Sequence, residues 1–329
     1  MTSFISRNII RFVLLMIAVS LVTFFLVSAS PVDPVQANIG QAALSTISPE
    51  KLEQLQQYWH SDTPFFERYG AWISSFLQGD MGMSLRYNAP VADVIANRAL
   101  NSLVLLAIAW LLSGIVGFII GIVAGALRDS WFDRVIKAYC FVLASTPTFW
   151  IALLFLVIFA VGLGWFPVGF STPIGKTAAD VTLWDALHHL ALPAITLSLV
   201  GVANIALHTR EKTVDVMQSD YVRFAELQGE SKWSAVFHHG LRNLALPAIT
   251  LQFAQIAEIF GGSILVEQVF SYPGLGQAAV TAGLGGDAAL LAGIALISAA
   301  LVFGGNLLAN IIYGCIDPRM RKGELTDGA

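Results

Sequence analysis

The sequence predicts an all-α integral membrane protein with about six transmembrane helices, and three observations carry that prediction. First, 56% of the 329 residues are hydrophobic and only 12% are charged, more apolar side chain than one soluble core can cover. Second, six predominantly apolar runs are long enough to cross a bilayer core about 30 Å thick. They are Ile9–Ser30, Ser102–Leu127, Cys140–Val161, Leu190–Leu207, Leu244–Val266 and Ala288–Tyr313. Third, the runs are continuous, whereas a membrane β-barrel would show segments of about ten residues alternating apolar with polar.

The placement of cations sets an orientation. With the N-terminus cytoplasmic, thirteen of the eighteen Lys and Arg fall inside, leaving Lys51, Arg68, Arg86, Arg98 and Lys176 outside. The stretch Glu267–Asp287, assigned outside, carries no Lys or Arg. Arg7 and Arg11 before a first run ending Ser28-Ala29-Ser30 also resemble a signal peptide, but the run exceeds a typical h-region and reads as a retained first helix over 1–30. Cys140 and Cys315 both fall near cytoplasmic helix ends, where a reducing compartment argues against a disulfide.

Between the first two spans, residues 31–98 form a polar extracytoplasmic lobe with a Trp59/Trp72 pair. Ser48-Pro49-Glu50 opens a short helix to Trp59, Gly79-Asp80-Met81-Gly82 is turn chemistry, and Pro90 opens a helix leading into the second span. Residues 99–313 form the membrane core of about five helices, and 314–329 a cytoplasmic tail. Within the core, Gly162–His189 is an outer loop whose Trp165 and Trp184 suit an interfacial belt. Thr209–Asn243 is a long cytoplasmic loop mixing charges with Tyr221, Phe224, Leu227, Trp233, Val236 and Phe237, the pattern of an amphipathic helical hairpin.

No phosphate-binding GxxxxGK[ST] loop, HExxH site or ligand-spaced Cys and His cluster occurs, so the chain is not read as an enzyme or as a resident metal protein. Any energy source is external to it. The loop from Tyr221 to Pro247 decides among the sources. Tyr221, Val222, Arg223, Ala225 and Gly229, followed by Arg242-Asn243, resemble the coupling loop of permeases in ATP-binding-cassette importers, in the peptide/nickel branch. Phe224, Glu226, Leu227 and Gln228 depart from that branch, where Thr, Arg, Ala and Lys are common. Further likenesses run along the chain: Gly79-Asp80 with Gly82 and Ser84, Ser145-Thr146-Pro147 with Phe149-Trp150, Phe270 to Gly276 including Pro273, Gly274 and Gly276, and Asp317-Pro318-Arg319-Met320-Arg321.

The resemblance implies a type I importer permease fold, with a coupling helix between spans four and five, forming half of a pathway for di/oligopeptides or nickel-type chelates. It implies a bacterial inner-membrane location, a second homologous permease in a heterodimer, and two cytoplasmic ATPases that bind ATP and Mg. An extracytoplasmic substrate-binding protein completes the set; nucleic acid has no part in it. The chain itself binds no cofactor on this reading. Gly229 permits the sharp bend between two short helices. Trp233, Val236 and Phe237, spaced three and four, share one face suited to a groove on an ATPase. Tyr221, Arg223, Ala225, Arg242 and Asn243 complete the coupling set.

Inside the spans, Gln252, Gln255 and Glu258 recur every three residues and are read as one polar face along the substrate pathway. The alternative for Glu258 is a protonated acid hydrogen-bonded between packed helices. Gly114, Gly117, Gly121 and Gly125 form a stripe for close helix packing. Pro147 is read as curving its helix. His188 and His189 are read as interfacial packing rather than nickel ligands, and His238 and His239 as surface residues of the hairpin. A secondary transporter or channel subunit not coupled to an ATPase is the alternative function; a single intramembrane acid in six spans gives the transporter thin support.

Overall fold

The computed structural model describes residues 2–29, 64–177 and 180–316. The expected helix from Pro49 to Trp59 and the motif Asp317–Arg321 lie outside them. Helix α1 spans Thr2–Ser28 and α2 Phe65–Leu77. A two-residue antiparallel pair follows, β1 (Met83–Ser84) with β2 (Ala89–Pro90). The long α3 (Val91–Ala126) comes next. Then α4 (Trp131–Ser145) is followed by α5 (Thr148–Phe155), which widens into a π-helix over Leu156–Gly162. After a loop, α6 runs Leu183–Met217.

The hairpin begins with α7 (Asp220–Leu227) and turns into α8 (Lys232–Ala235), which continues as a π-helix over Val236–Gly240. The fifth span consists of α9 (Leu241–Ala254) and α10 (Ile256–Val269). Finally α11 (Leu275–Leu284) and α12 (Ala288–Ile316) close the described chain.

Among the described residues, four helices are long and apolar enough to cross a membrane, or six spans if each of two bent pairs counts as one. The first, second, fourth and sixth apolar runs are single helices. Two of them overrun the membrane: α3 and α6, with 36 and 35 residues, reach about 50 Å at 1.5 Å per residue. The fourth run was expected to end at Leu207, but the helix continues to Met217. Its last three turns carry Arg210, Glu211 and Lys212, so hydropathy stops where the helix does not. At its other end Thr182 and Asp185 form a reciprocal capping box, which starts α6 inside the segment expected to be loop.

The chain divides into two compact units. One comprises Ile5–Ser102 and Pro273–Gly304. Here Phe24 of α1 meets Phe65, Tyr69 and Trp72 of α2 with ring centroids 5.3–5.6 Å apart, and Ser20 and Tyr69 share a 2.7 Å hydrogen bond. Trp72 thus packs on the first span. Asp80 Oδ1 accepts from the Gly82 amide at 2.9 Å, and Gly79 and Gly82 both take positive φ, the turn expected there. Val91, Val94 and Ile95 pack with Leu275, Ala278, Ala282, Leu290 and Ile294.

The other unit is built on Leu103–Tyr272. Its largest core joins Leu105 and Ala109 of α3, Ala152 and Ala160 of the α5 segment, Leu192 and Leu197 of α6, and Ile259 and Val266 of α10. Three of the four stripe glycines of α3 lie directly on α6, and Gly114 lies against Gln252 of α9. A Cβ at Gly117 would stand 2.9 Å from Ile205, and Cβ atoms at Gly121 and Gly125 would stand 2.5 Å from Thr209 and Thr213. Only a hydrogen fits at these positions, which is the close approach the stripe predicts.

Pro147 does more than curve its helix. The α4 and α5 axes meet at 106°. Thr146, ahead of the proline, is forced into extended backbone (φ −99°, ψ 128°), so α4 stops and a new helix starts with Pro147 as its N-cap. The expectation of gentle curvature is therefore corrected to a break. Pro193 and Pro247, by contrast, sit inside continuous helices.

Candidate functional site

The hairpin after α6 has two unlike faces. Val222 and Ala225 of α7 are buried with Val216, Val236, Leu244 and Ile122. On the opposite side Tyr221, Phe224 and Leu227 are exposed, Leu227 by 86%. Apolar side chains three residues apart on a surface helix line one stripe, and this stripe has no cover within the described chain. Arg223 is also exposed. The helix ends at Gly229, whose φ of +95° is left-handed. Gly229 N donates to Glu226 O at 3.0 Å and Glu230 N to Ala225 O at 3.1 Å, the paired bonds of a Schellman stop. The expected glycine hinge is there.

Two parts of the expected contact face are corrected. Val236 is fully buried and Ala225 is 5% exposed, so both hold the hairpin together rather than meeting a partner. Spacing of three and four told that Trp233, Val236 and Phe237 share a face but not which way it points, and the π-helix at Val236 shifts the phase. Trp233 is 40% exposed. The side chains of Phe237, Arg242 and His239 lie outside the described residues. Asn243 donates through Nδ2 to Tyr221 Oη at 2.9 Å, tying the base of the hairpin to α7.

A cluster the sequence reading missed stands beside the hairpin. Asp133, in the first turn of α4, is fully buried. Ser130 caps this helix, its Oγ accepting from Asp133 N at 3.2 Å. The Asp133 carboxylate accepts a bidentate fork from Arg210, Nε at 2.6 Å and Nη2 at 2.7 Å, and the Asp129 amide at 3.0 Å. Lys137 lies 3.6 Å away. Arg210 belongs to α6, two turns before its end, so one carboxylate joins the start of α4 to the helix that carries the hairpin.

The fifth span does not present one polar face. It bends by 49° at Gln255. Gln252 and Gln255 are 7% and 5% exposed. Gln252 Nε2 donates to Trp110 O on α3, and Trp110 Nε1 returns a bond to Gln252 O at 2.9 Å. Gln255 lies against Gly201, where an added Cβ would come within 3.3 Å of its Oε1. Within the described chain these two glutamines lie buried between helices, each with its Oε1 unpartnered. Glu258 is exposed, as are Ala257 and Gly261 of the same helix. The 49° bend at Gln255 separates Glu258 from the two buried glutamines. Burial of Glu258 between helices of its own chain is not what the structure shows.

His188 and His189 each meet a loop carbonyl, Trp165 O and Gly169 O, both at 2.9 Å. They pin the loop between α5 and α6. His238 is exposed and bonded to Ser234 O at 3.1 Å. The motif around Pro273 is similarly knitted: Asn101 donates to Pro273 O at 2.9 Å, Leu275 N donates to Ser102 Oγ at 2.8 Å, and Gly274 caps α11 with Gly276 buried behind it.

Long apolar helices, two broken spans and a hairpin with one buried and one exposed face define a helical multi-pass membrane subunit. The comparisons with known proteins agree. Residues 117–322 match the family described as binding-protein-dependent transport system inner membrane component, and residues 1–106 match its N-terminal membrane component. The chain is 32% identical over 321 residues to the oligopeptide transport system permease protein AppB of Bacillus subtilis, covering 97% of this chain and 99% of that one. It is 33% identical to a putative peptide transport system permease protein of Brucella abortus, covering 98% and 99%. To the dipeptide transport system permease protein DppB of Alkalihalophilus pseudofirmus it is 30% identical, covering 98% and 100%. The chain belongs to the binding-protein-dependent transport system inner membrane component family. It is a multi-pass inner-membrane permease subunit of an ATP-driven importer that works with an ATPase and a substrate-binding protein.

Proposed function

We propose that this chain forms half of the translocation pathway of a peptide importer and receives the ATPase stroke through α7. The observation that carries the reading is the exposed stripe Tyr221, Phe224 and Leu227 on a hairpin whose other face is locked to α6 and α9. A surface held rigidly from behind transmits displacement; a floppy one absorbs it. The Schellman stop at Gly229 keeps α7 short and sets its angle to α8.

A second, homologous permease supplies the other half as a heterodimer, and two cytoplasmic ATPases hold the ATP and Mg. The excess of cations on the hairpin side supports a cytoplasmic N-terminus. The permeases named above carry peptide cargo in their names, which favours peptides over nickel-type chelates. Glu258 lines the passage: a carboxylate on the open side of α10 is costly against lipid and is at home in a hydrated path.

The test is the reconstituted complex carrying Gly229→Val or Arg223→Ala, followed by ATP hydrolysis in response to loaded binding protein. Loss of that response with the complex intact supports the reading; unaltered stimulation in both variants defeats it. Glu258→Gln is expected to slow uptake of trialanine without changing assembly.

A further inference from the structure

We infer that the Asp133–Arg210 fork is a positioning pair that makes α4 follow α6 when the hairpin is displaced, carrying the stroke to the break at Pro147. The inference rests on the coupling role proposed for α7. Its starting point is that the fork is not needed to make α4 and α6 adhere. Cys140 and Leu143 of α4 already pack with Ala203 and Ala206, and a buried ion pair is often no more stabilising than apolar side chains of the same size. What the fork adds is direction. Two parallel bonds at 2.6 and 2.7 Å to one planar guanidinium resist rotation as well as separation.

Position supports the same conclusion. Arg210 sits in the polar last turns of α6, with Val216 a few residues on, already inside the hairpin core. On its other side the same stretch is clamped to α3, through Thr209 and Thr213 against Gly121 and Gly125. Asp133 is held from its own side by the Asp129 amide, so it cannot swing to follow Arg210 without moving the N-terminus of α4. Helices α3, α4 and the end of α6 then travel as one block. Helix α4 ends at Ser145, where the chain turns by 106° into α5, which packs on α6 in its own right through Ile151 and Ala152. Displacement of the hairpin is thereby converted into a change at that break.

The experiment uses the complete reconstituted transporter with spin labels at Trp131, which is 75% exposed, and at Asp215, whose side chain is 65% exposed. Distances between the labels are measured without nucleotide and after trapping with ATP and vanadate. The wild-type protein is expected to give one narrow distance that trapping leaves alone. Asp133→Asn and Arg210→Lys are both expected to give a distance that shifts or splits on trapping; Arg210→Lys keeps the charge and loses the fork, so it separates geometry from folding. A shift in the wild type, or no shift in either variant, overturns the inference. Should the wild-type complex retain no ATPase, the coupling reading fails first, before any variant is compared, and this inference falls with it.

Discussion

Asp133 and Asp287 are both fully buried, and the two carboxylates are satisfied by different kinds of donor. Asp133 takes a guanidinium from 77 residues away, together with one local amide. Asp287 accepts from Ser84 Oγ at 2.6 Å, Arg86 N at 3.0 Å and Leu290 N at 3.1 Å, which fastens the β1–β2 turn to the start of α12. One is an ionic fork between two long helices beside the hairpin. The other is a neutral-donor cap that fixes a turn in the unit containing α11. The difference teaches that burial of a charge does not by itself say what the charge is for: two of the three donors to Asp287 are backbone groups that no mutation removes, whereas the fork is made of side chains and can be replaced whole.

The largest expected effect comes from breaking the fork on one side. Asp133→Leu leaves Arg210 buried without its acid and is expected to cost about 3–5 kcal/mol, seen as a lowered thermal midpoint of the detergent-solubilised complex. Adding Arg210→Met to that variant is expected to recover most of the loss. Asp287→Leu is expected to cost about 1–3 kcal/mol, and adding Ser84→Ala is not expected to rescue it, because the Arg86 and Leu290 amides stay unsatisfied. Equal rescue in both pairs would erase the distinction drawn here.

Overpacking the glycine stripe ranks next: Gly121→Val pushes a side chain into Thr209 and is expected to cost about 1–3 kcal/mol by the same assay. Gly229→Ala places a side chain at φ +95° and is expected to cost about 1 kcal/mol. Smallest in stability is Phe224→Ala, within about 0.5 kcal/mol, since the ring touches no core. Its effect is expected in retention of the ATPase during purification, which makes it the sharpest separation of folding from coupling.

Much of this was legible in the sequence because local rules governed it. Six apolar runs gave the spans, the Gly79–Gly82 turn and the helix start after Pro90 followed from backbone preferences, and Gly229 stood where only glycine bends cheaply. The rest depended on facts that no local pattern carries. The Asp133–Arg210 pair joins residues that only the packed fold brings together. The polar ends of α6 are helical although hydropathy falls away there. Val236 points inward because a π-helix changes the phase, and the bend at Gln255 splits a polar repeat into two buried amides and one exposed acid.

The central claim is that the exposed stripe of α7 meets the ATPase. A cysteine at Leu227 and one at Leu284 of α11 test it directly, since each leucine is 86% exposed and they differ only in which segment carries them. With Cys140 and Cys315 replaced by serine, a short bifunctional maleimide is expected to join the Leu227 position to the ATPase in the purified complex and to leave the Leu284 position unjoined. Cross-linking at Leu284 with none at Leu227 would contradict the account.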